Sequence, residues 1–235
     1  MSHKNWEIIW NKREILSDQN LTLENLIALD GFDSGAGKIN LNSWREYAKK
    51  LSELLALKNG ESLFEVGCGS GALLYAILEV KRGIKVAGID YGMSLIEAAK
   101  KAIPEGSFEC INAKNLQKDP KFDHLISNSL FQYLSLGEAK QVVEAMIQKS
   151  KKNIYILDIP SLEKKSLSEK IRKLSLNQDE YEKKYEGLSH SYYEKEWFFE
   201  ICKSFDKSLS CEFLEGIIPN YAQNQYRFNC LIRKT

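Results

Sequence analysis

Ser62-Leu63-Phe64-Glu65-Val66-Gly67-Cys68-Gly69-Ser70-Gly71-Ala72-Leu73-Leu74 is the stretch whose reading decides the fold. It opens as a short apolar run, the pattern of a buried strand. It then turns through Gly67, Gly69 and Gly71 and continues into Leu73, Leu74, Ala76 and Ile77 at helical spacing. Strand, glycine turn and helix in that order give a glycine motif meaning. The glycines admit positive φ and close approach of a ligand. The helix that follows aims free N–H groups and its positive end at that ligand. A dinucleotide fingerprint, G-x-G-x-x-G, would put its third glycine where Ala72 stands; here the third glycine is Gly71, one residue early. Glu65, two residues before Gly67, sets a carboxylate at the strand's end. It repels a pyrophosphate and suits a cation.

The 235 residues suffice for one sizeable core, and residues 1–235 are expected to form a single domain. Net charge is +1 with both signs interspersed, so no electrostatic footprint for nucleic acid stands out. Lys149, Lys151 and Lys152 cluster, but they end an expected helix, where cations complement the dipole. The five cysteines, Cys68, Cys110, Cys202, Cys211 and Cys230, are odd in number and never spaced C-x-x-C. Neither a disulfide framework nor a zinc site is expected, and no metal. Cys110, Cys211 and Cys230 are read as buried small hydrophobes, Cys68 as a tight-turn filler. No secretory signal or long apolar span is seen, and a cytoplasmic location is expected, with no membrane partner.

Residues 4–15 and 22–29 read as helices anchored by Trp6, Ile9, Trp10, Leu23, Leu26, Ile27 and Leu29. Asp30-Gly31-Phe32-Asp33-Ser34-Gly35-Ala36-Gly37 breaks that pattern and is a linker or a lid. Asn42-Ser43 is read as the cap of a helix carrying Trp44, Tyr47, Leu51, Leu54 and Leu55 on one face. Trp44, at its start, belongs either to the core or to a ligand pocket. Ile84–Ile89 is a second strand ending in Asp90, about twenty residues beyond the glycine turn, where a carboxylate accepts both hydroxyls of a ribose. Tyr91 and Met93 follow, positioned to flank an adenine ring. Ser107–Ile111, Phe122–Ser127 and Asn153–Leu157 are further strands, and Glu138–Ser150 is an amphipathic helix. Alternating strands and helices imply a parallel sheet covered on both faces. Right-handed crossovers then bring Glu65, Asp90, Asn112, Asn128 and Asp158 to one rim, where ligands bind in such sheets. Residues 161–186 are expected to add a helical cover, Glu194–Phe205 a last helix, and Ser208–Leu214 with Tyr226–Ile232 a closing pair of strands.

Glu65-x-Gly67-x-Gly69-x-Gly71 resembles motif I of the class I S-adenosylmethionine-dependent methyltransferases. The resemblance covers residues 58–160 by motif and extends to 235 by element order. It implies a three-layer αβα sandwich with a seven-stranded, mostly parallel sheet in the order 3-2-1-4-5-7-6, strand 7 antiparallel. Residues 1–57 would be a helical cap, 58–160 the cofactor half, 161–192 an insertion and 193–235 the closing helix and hairpin. Asp158-Ile159-Pro160, His190-x-Tyr192-Tyr193 and Tyr226-Arg227-Phe228 also look like bacterial methyltransferases of small metabolites and surface sugars. The resemblance implies that Glu65 and the turn of Gly67, Cys68, Gly69 and Gly71 hold the methionine end of the cofactor. Asp90 takes the ribose, Asn112 and Ala113 contact adenine, and Asn128 and Ser129 pass under the methionine portion. Asn112 stands where the family often has Asp and still offers a carbonyl acceptor.

His190 is the first candidate base, because its ordinary pKa suits proton removal and it falls in the part expected to fold over the rim. Asp158 is the second. His124 falls in a strand and is read as a packed residue. Tyr133, Tyr192 and Tyr221 are candidate walls of an acceptor pocket. Asn128-Ser129-Leu130-Phe131 does not match the N-P-P-Y box used on planar amides and bases, and with no basic patch nucleic acid is disfavoured; the N-terminal helices and the insertion, both set to cover the rim, suggest an enclosed small-molecule pocket. The expected activity is methyl transfer from S-adenosylmethionine to a hydroxyl oxygen of a metabolite or sugar, by a monomer or homodimer. The alternatives are a catalytically silent cofactor-binding module and an NAD(P)-dependent oxidoreductase, which Glu65 and Gly71 fit poorly.

Overall fold

The structure, a computed structural model, describes residues 10, 21–174 and 190–234. The helix expected over 4–15 lies outside the described residues except for Trp10, as does the insertion beyond residue 174. Strands β1 (Ser62–Val66), β2 (Lys85–Asp90), β3 (Ser107–Cys110), β4 (Phe122–Asn128), β5 (Ser150–Pro160), β6 (Ser210–Glu215) and β7 (Arg227–Arg233) form one sheet in the order β3-β2-β1-β4-β5-β7-β6. β1 to β5 run parallel. β7 runs antiparallel to both β5 and β6. Order and reversed strand are those expected.

Helices α1 (Leu23–Leu29), α2 (Leu41–Leu54), α3 (Ala72–Val80) and α4 (Met93–Ala102) share a core with Leu63, Val86, Ile126 and Leu157. Helices α5 (Leu136–Lys149) and α7 (Lys195–Phe205) share the opposite core with Phe64, Ala87, Leu125 and Ile156. The division follows from strand alternation, which sends neighbours to opposite faces. Leu63 and Glu65 thus point to the side covered by α1–α4. Helix α6 (Lys165–Leu174) packs on the turns Gly35–Gly37 and Asn224–Tyr226. No helix among the described residues is long and apolar enough to cross a membrane.

Several local expectations are corrected. The cap of α2 is Asn40, whose side chain accepts from Ser43 N at 2.9 Å; Asn42 lies inside the first turn. Cys110 is exposed, because β3 is an edge strand that buries only Phe108. Cys211, on the other edge strand, is half-buried, whereas Cys230 is buried. Lys149 ends α5 as expected, but Lys151 and Lys152 lie in β5, and Lys149 is buried. It is 3% exposed, its Nζ 4.7 Å from the centre of the Phe64 ring. It donates to Gln117 O at 3.1 Å and Pro120 O at 2.9 Å. Burial lowers its pKa, and the aromatic ring and carbonyls offset part of that cost. His124 is packed as expected, 3% exposed with Nε2 3.2 Å from Glu61.

Tyr193 ties the crossing after β4 to the returning chain. Its hydroxyl reaches Phe131 O at 2.9 Å and Leu134 O at 3.0 Å, and its side chain is buried. Tyr193→Phe leaves both carbonyls without that donor and is expected to cost about 1–3 kcal/mol of stability, read as a lowered melting temperature. An unchanged melting temperature would show that neither contact carries stability.

Candidate functional site

The glycine turn is tied to its neighbours by backbone. Gly67 N and Cys68 N both donate to Ile89 O of β2, at 2.8 and 2.9 Å. Gly69 stands at φ +53°, and a Cβ there would come within 2.3 Å of the Asp30 carboxylate. On β2, a Cβ at Gly88 would come within 2.7 Å of Cys68 Cβ, so glycine on the strand lets the turn lie flat against it. Asp30, the C-cap of α1, accepts from Ser70 N at 2.7 Å, and Ser70 Oγ donates to Leu26 O at 3.0 Å. α1 is thereby pinned over the turn. Asp90 accepts from Gly69 N at 3.1 Å and from Gly92 N at 2.8 Å.

A cleft of about 1340 Å³, its mouth included, opens above this turn. At one end Asp30, Glu65 and Asp90 line it. Burial raises the pKa of all three. Asp30 is pushed up to about 7, with the Asp90 charge adding to burial. Repulsion from Asp30 and Asp90 adds to burial at Glu65. Glu65 is 2% exposed and its Oε2 has no hydrogen-bond partner. A buried carboxylate oxygen with no donor, beside two further acids, fits a ligand that brings a cation or N–H groups. Cys68 also lines the cleft, but burial and the three acids hold its thiol far above the usual range. A raised pKa keeps that thiol protonated, which disfavours it as a nucleophile.

The other end is basic. Arg172 of α6, Arg227 of β7 and His190 line it with Tyr133, Tyr221 and Gln132. Arg227 is 3% exposed; it donates to Gln132 Oε1 at 3.0 Å, Gln223 Oε1 at 2.9 Å and Asp158 O at 3.2 Å. Its Nε lies 3.8 Å from Asp158 Oδ1. Burial opposes the charge on Arg227, yet Asp158 and the facing tyrosines hold its pKa high. Arg172 contacts His190 Nδ1 and the Tyr192 hydroxyl. Burial, then Arg172 and Arg227, press His190 well below the ordinary histidine range.

The expected site residues divide between cleft and support. Glu65, Gly67, Cys68, Gly69, Asp90, Tyr91, Asn128, Ser129, Trp44, Tyr133, Tyr221 and His190 line the cleft. Gly71, Met93, Asn112, Ala113, Asp158 and Tyr192 are not among its lining residues. Gly71 is the left-handed N-cap of α3. Met93 is 57% exposed on α4. Asn112 caps the turn Ala113–Asn115 by accepting from Lys114 N at 3.1 Å. Trp44 is both core and lining: it is 1% exposed, and its Nε1 donates to Ala72 O at 3.1 Å. Asp158 lies beneath the cleft, accepting from Ser129 Oγ at 2.6 Å, with the Tyr221 hydroxyl at 3.5 Å. Ser129 and Asp158 both hold positive φ, 54° and 56°, a backbone state costly for such residues and concentrated at functional sites. Burial raises the pKa of Asp158, and Arg227 opposes the rise.

Sequence reading missed Asp30, Arg172, Arg227, Gln132 and Gln223 as site residues. Asp30 carried a signal: an acid ending a helix opposes the dipole and needs another reason to be there. Arg227, before the apolar Phe228, Cys230, Leu231 and Ile232, carried another. Gln132, Gln223 and Arg172 carried none.

The methyltransferase-domain family matches residues 57–213, and the chain belongs to that family, with the fold of the class I S-adenosylmethionine-dependent methyltransferases. It is 25% identical over 111 residues to a malonyl-[acyl-carrier protein] O-methyltransferase of Bacillus cytotoxicus, covering 46% of this chain and 38% of that protein. It is 28% identical over 92 residues to a trans-aconitate 2-methyltransferase of Escherichia coli, covering 38% and 36%. The match thus spans under two fifths of either relative's length. The crystal structure of magnesium protoporphyrin IX methyltransferase from Synechocystis PCC 6803 with bound SAH superposes with a TM-score of 0.64 at 14% identity, covering 99% of each chain.

Proposed function

We propose that the protein transfers the methyl group of S-adenosylmethionine to an oxygen, hydroxyl or carboxylate, of a small molecule held in the cleft. The observation that carries this is Glu65, buried with an unpartnered oxygen beside Asp30 and Asp90 at the glycine turn. S-adenosylmethionine supplies an electrophilic methyl group on a sulfonium. Glu65 and the turn hold its amino-acid end, Asp90 its ribose, and Tyr91 the side of the adenine, with Asn112 and Ala113 outside the lining of the cleft. Asn128 and Ser129 run under the methionine portion, and Trp44 backs it. The chain contributes positioning and exclusion of water. His190 and Asp158 are the groups near enough to influence a proton at the acceptor end. Residues 30–38 and α6 cover the cleft as parts of the 1–57 cap and the 161–192 insertion. The acceptor is a small molecule rather than nucleic acid.

Calorimetric titration with S-adenosylmethionine and S-adenosylhomocysteine, with NAD as control, tests this reading. Micromolar binding of the first two without NAD is expected, on the order of −8 kcal/mol. Binding of NAD alone would reverse the assignment.

Cofactor affinity should also depend on pH. A bound cation favours ionised Asp30, Glu65 and Asp90 and lowers their raised pKa values. Binding then releases protons, and affinity rises with pH through the Asp30 value of about 7. S-adenosylmethionine affinity is expected to rise by up to about tenfold between roughly pH 6 and 8. Asp30→Asn should flatten that rise, and an equal slope in the variant would remove Asp30 from the linkage.

A further inference from the structure

Helix α2 carries two large aromatic side chains one turn apart. Trp44 and Tyr47 are 1% and 0% exposed, their rings edge-on at 5.9 Å. Trp44 Nε1 donates to Ala72 O at the start of α3, and Ser43 Oγ accepts from Asn220 Nδ2 at 3.1 Å. The first turn of α2 is thus held from two sides. Tyr47, one turn further along, directs its hydroxyl at β4. Its O–H donates to Asn128 Oδ1 at 2.9 Å.

A fully buried phenol has one proton to place, and leaving it without an acceptor is costly. Burial, then Asp158 and Glu65, raise the Tyr47 pKa well above the ordinary phenol value, so the hydroxyl keeps its proton and stays a donor. The carbonyl end of the Asn128 amide is therefore turned to Tyr47. Nδ2 is the end that is left, and among the described residues it has no protein acceptor. Asn128 lines the cleft.

The strand register says what that donor faces. Glu65 of β1 pairs with Ile126 of β4. Asn128, two residues on, projects from the same face as Glu65, one pleat nearer the rim. Asp30, Glu65 and Asp90 line the cleft at this end. Acids suit an ammonium or hydroxyl groups; they repel a carboxylate, which needs N–H donors instead. An amino-acid end brings ammonium and carboxylate together. A neutral amide with its nitrogen outward supplies a donor to the second beside the acceptor for the first.

We infer that Asn128 Nδ2 donates to the carboxylate of the cofactor's amino-acid end, and that Tyr47 is the positioning residue that holds the amide in that orientation. This rests on the methyl-transfer reading above. Tyr47 itself is not a lining residue of the cleft. It acts by taking Oδ1. The last torsion of an asparagine is broad, so without the phenol the amide is free to turn, and Oδ1 toward the carboxylate would repel it.

The test uses the full-length protein and calorimetry with S-adenosylhomocysteine and its decarboxylated analogue, which lacks only that carboxylate. Wild type is expected to bind S-adenosylhomocysteine about tenfold or more tighter than the analogue. Tyr47→Phe should cut that ratio about threefold or more, with affinity for the analogue within about twofold of wild type. A loosened fold would weaken both ligands and leave the ratio alone, so the ratio separates positioning from support of the fold. Asn128→Ala should cut the ratio at least as far, and adding Tyr47→Phe to it should change the ratio no further. A wild type that binds both ligands alike, or a ratio unchanged in Asn128→Ala, would overturn the amide contact. A ratio unchanged in Tyr47→Phe, or lowered further by it in the Asn128→Ala background, would overturn the positioning role. Failure of S-adenosylhomocysteine itself to bind folded wild type would instead bring down the methyl-transfer reading beneath it.

Discussion

Arg227→Leu is expected to lower the melting temperature by about 6–20 °C, which is about 3–5 kcal/mol at about 2–4 °C per kcal/mol for a chain of this size. Arg227 is 3% exposed and Asp158 is 4% exposed. Removing the guanidinium strands the Asp158 carboxylate and leaves Gln132 Oε1, Gln223 Oε1 and Asp158 O without their donor. The loss should depend on pH. With Arg227 gone, the Asp158 pKa, already raised by burial, rises further above its unfolded value. A raised carboxylate pKa means stability present at low pH and lost as pH rises through the folded value. The deficit relative to wild type is therefore larger at about pH 8 than at about pH 5. Asp158→Asn in the Arg227→Leu background should recover about half the loss, because asparagine carries no charge and tolerates the positive φ there. A melting temperature within about 2 °C of wild type would mean that the pair is not structurally engaged. A further fall on adding Asp158→Asn would mean that the aspartate was never stranded.

The architecture was legible because it rests on patterns the chain repeats. Four strands followed by helices, after β1, β2, β4 and β5, point to a covered parallel sheet. The spacing of Glu65, Gly67, Gly69 and Gly71 fixes what the first strand's end does. Most boundaries were readable to within a residue or two; β5 extends three residues beyond the expected strand at each end, and Asn40, two residues before the expected cap, caps α2. Edges were harder. Cys110 looks like any strand cysteine until the sheet order makes β3 an edge. Lys149 looks like any helix-end lysine until the loop carbonyls of Gln117 and Pro120 close around it.

The acidic end of the cleft was partly legible, because Glu65 and Asp90 sit at strand ends that the sequence marks. Asp30 was not, because it reaches the turn from a helix more than thirty residues upstream. The basic end was nearly illegible. Arg172, His190, Gln132, Gln223 and Arg227 come from separate parts of the chain and meet only in the folded protein. His190 was read as a candidate base, and its chemistry depends on which group lies beside Nδ1. Arg172 lies against that nitrogen, and burial with the two arginines lowers the His190 pKa.

Asp90→Ala is expected to weaken S-adenosylmethionine binding by about 1.5–3 kcal/mol, roughly ten- to a hundredfold. Two effects add. The carboxylate braces the glycine turn through Gly69 N and anchors the start of α4 through Gly92 N, so its loss frees two backbone donors. In the proposed site it also accepts the ribose hydroxyls. A double-mutant cycle on the ligand separates them. Wild type should bind a cofactor analogue lacking the ribose 2′-hydroxyl more weakly than S-adenosylmethionine, whereas Asp90→Ala should bind the two nearly alike. If the variant discriminates as strongly as wild type, Asp90 acts on the turn alone and the ribose is held elsewhere. If affinity does not fall at all, neither brace nor contact bears on the cofactor. Asp90→Asn keeps one acceptor oxygen for the backbone while losing the charge. A loss smaller than that of alanine, with discrimination reduced, would assign the brace to geometry and the ribose contact to charge.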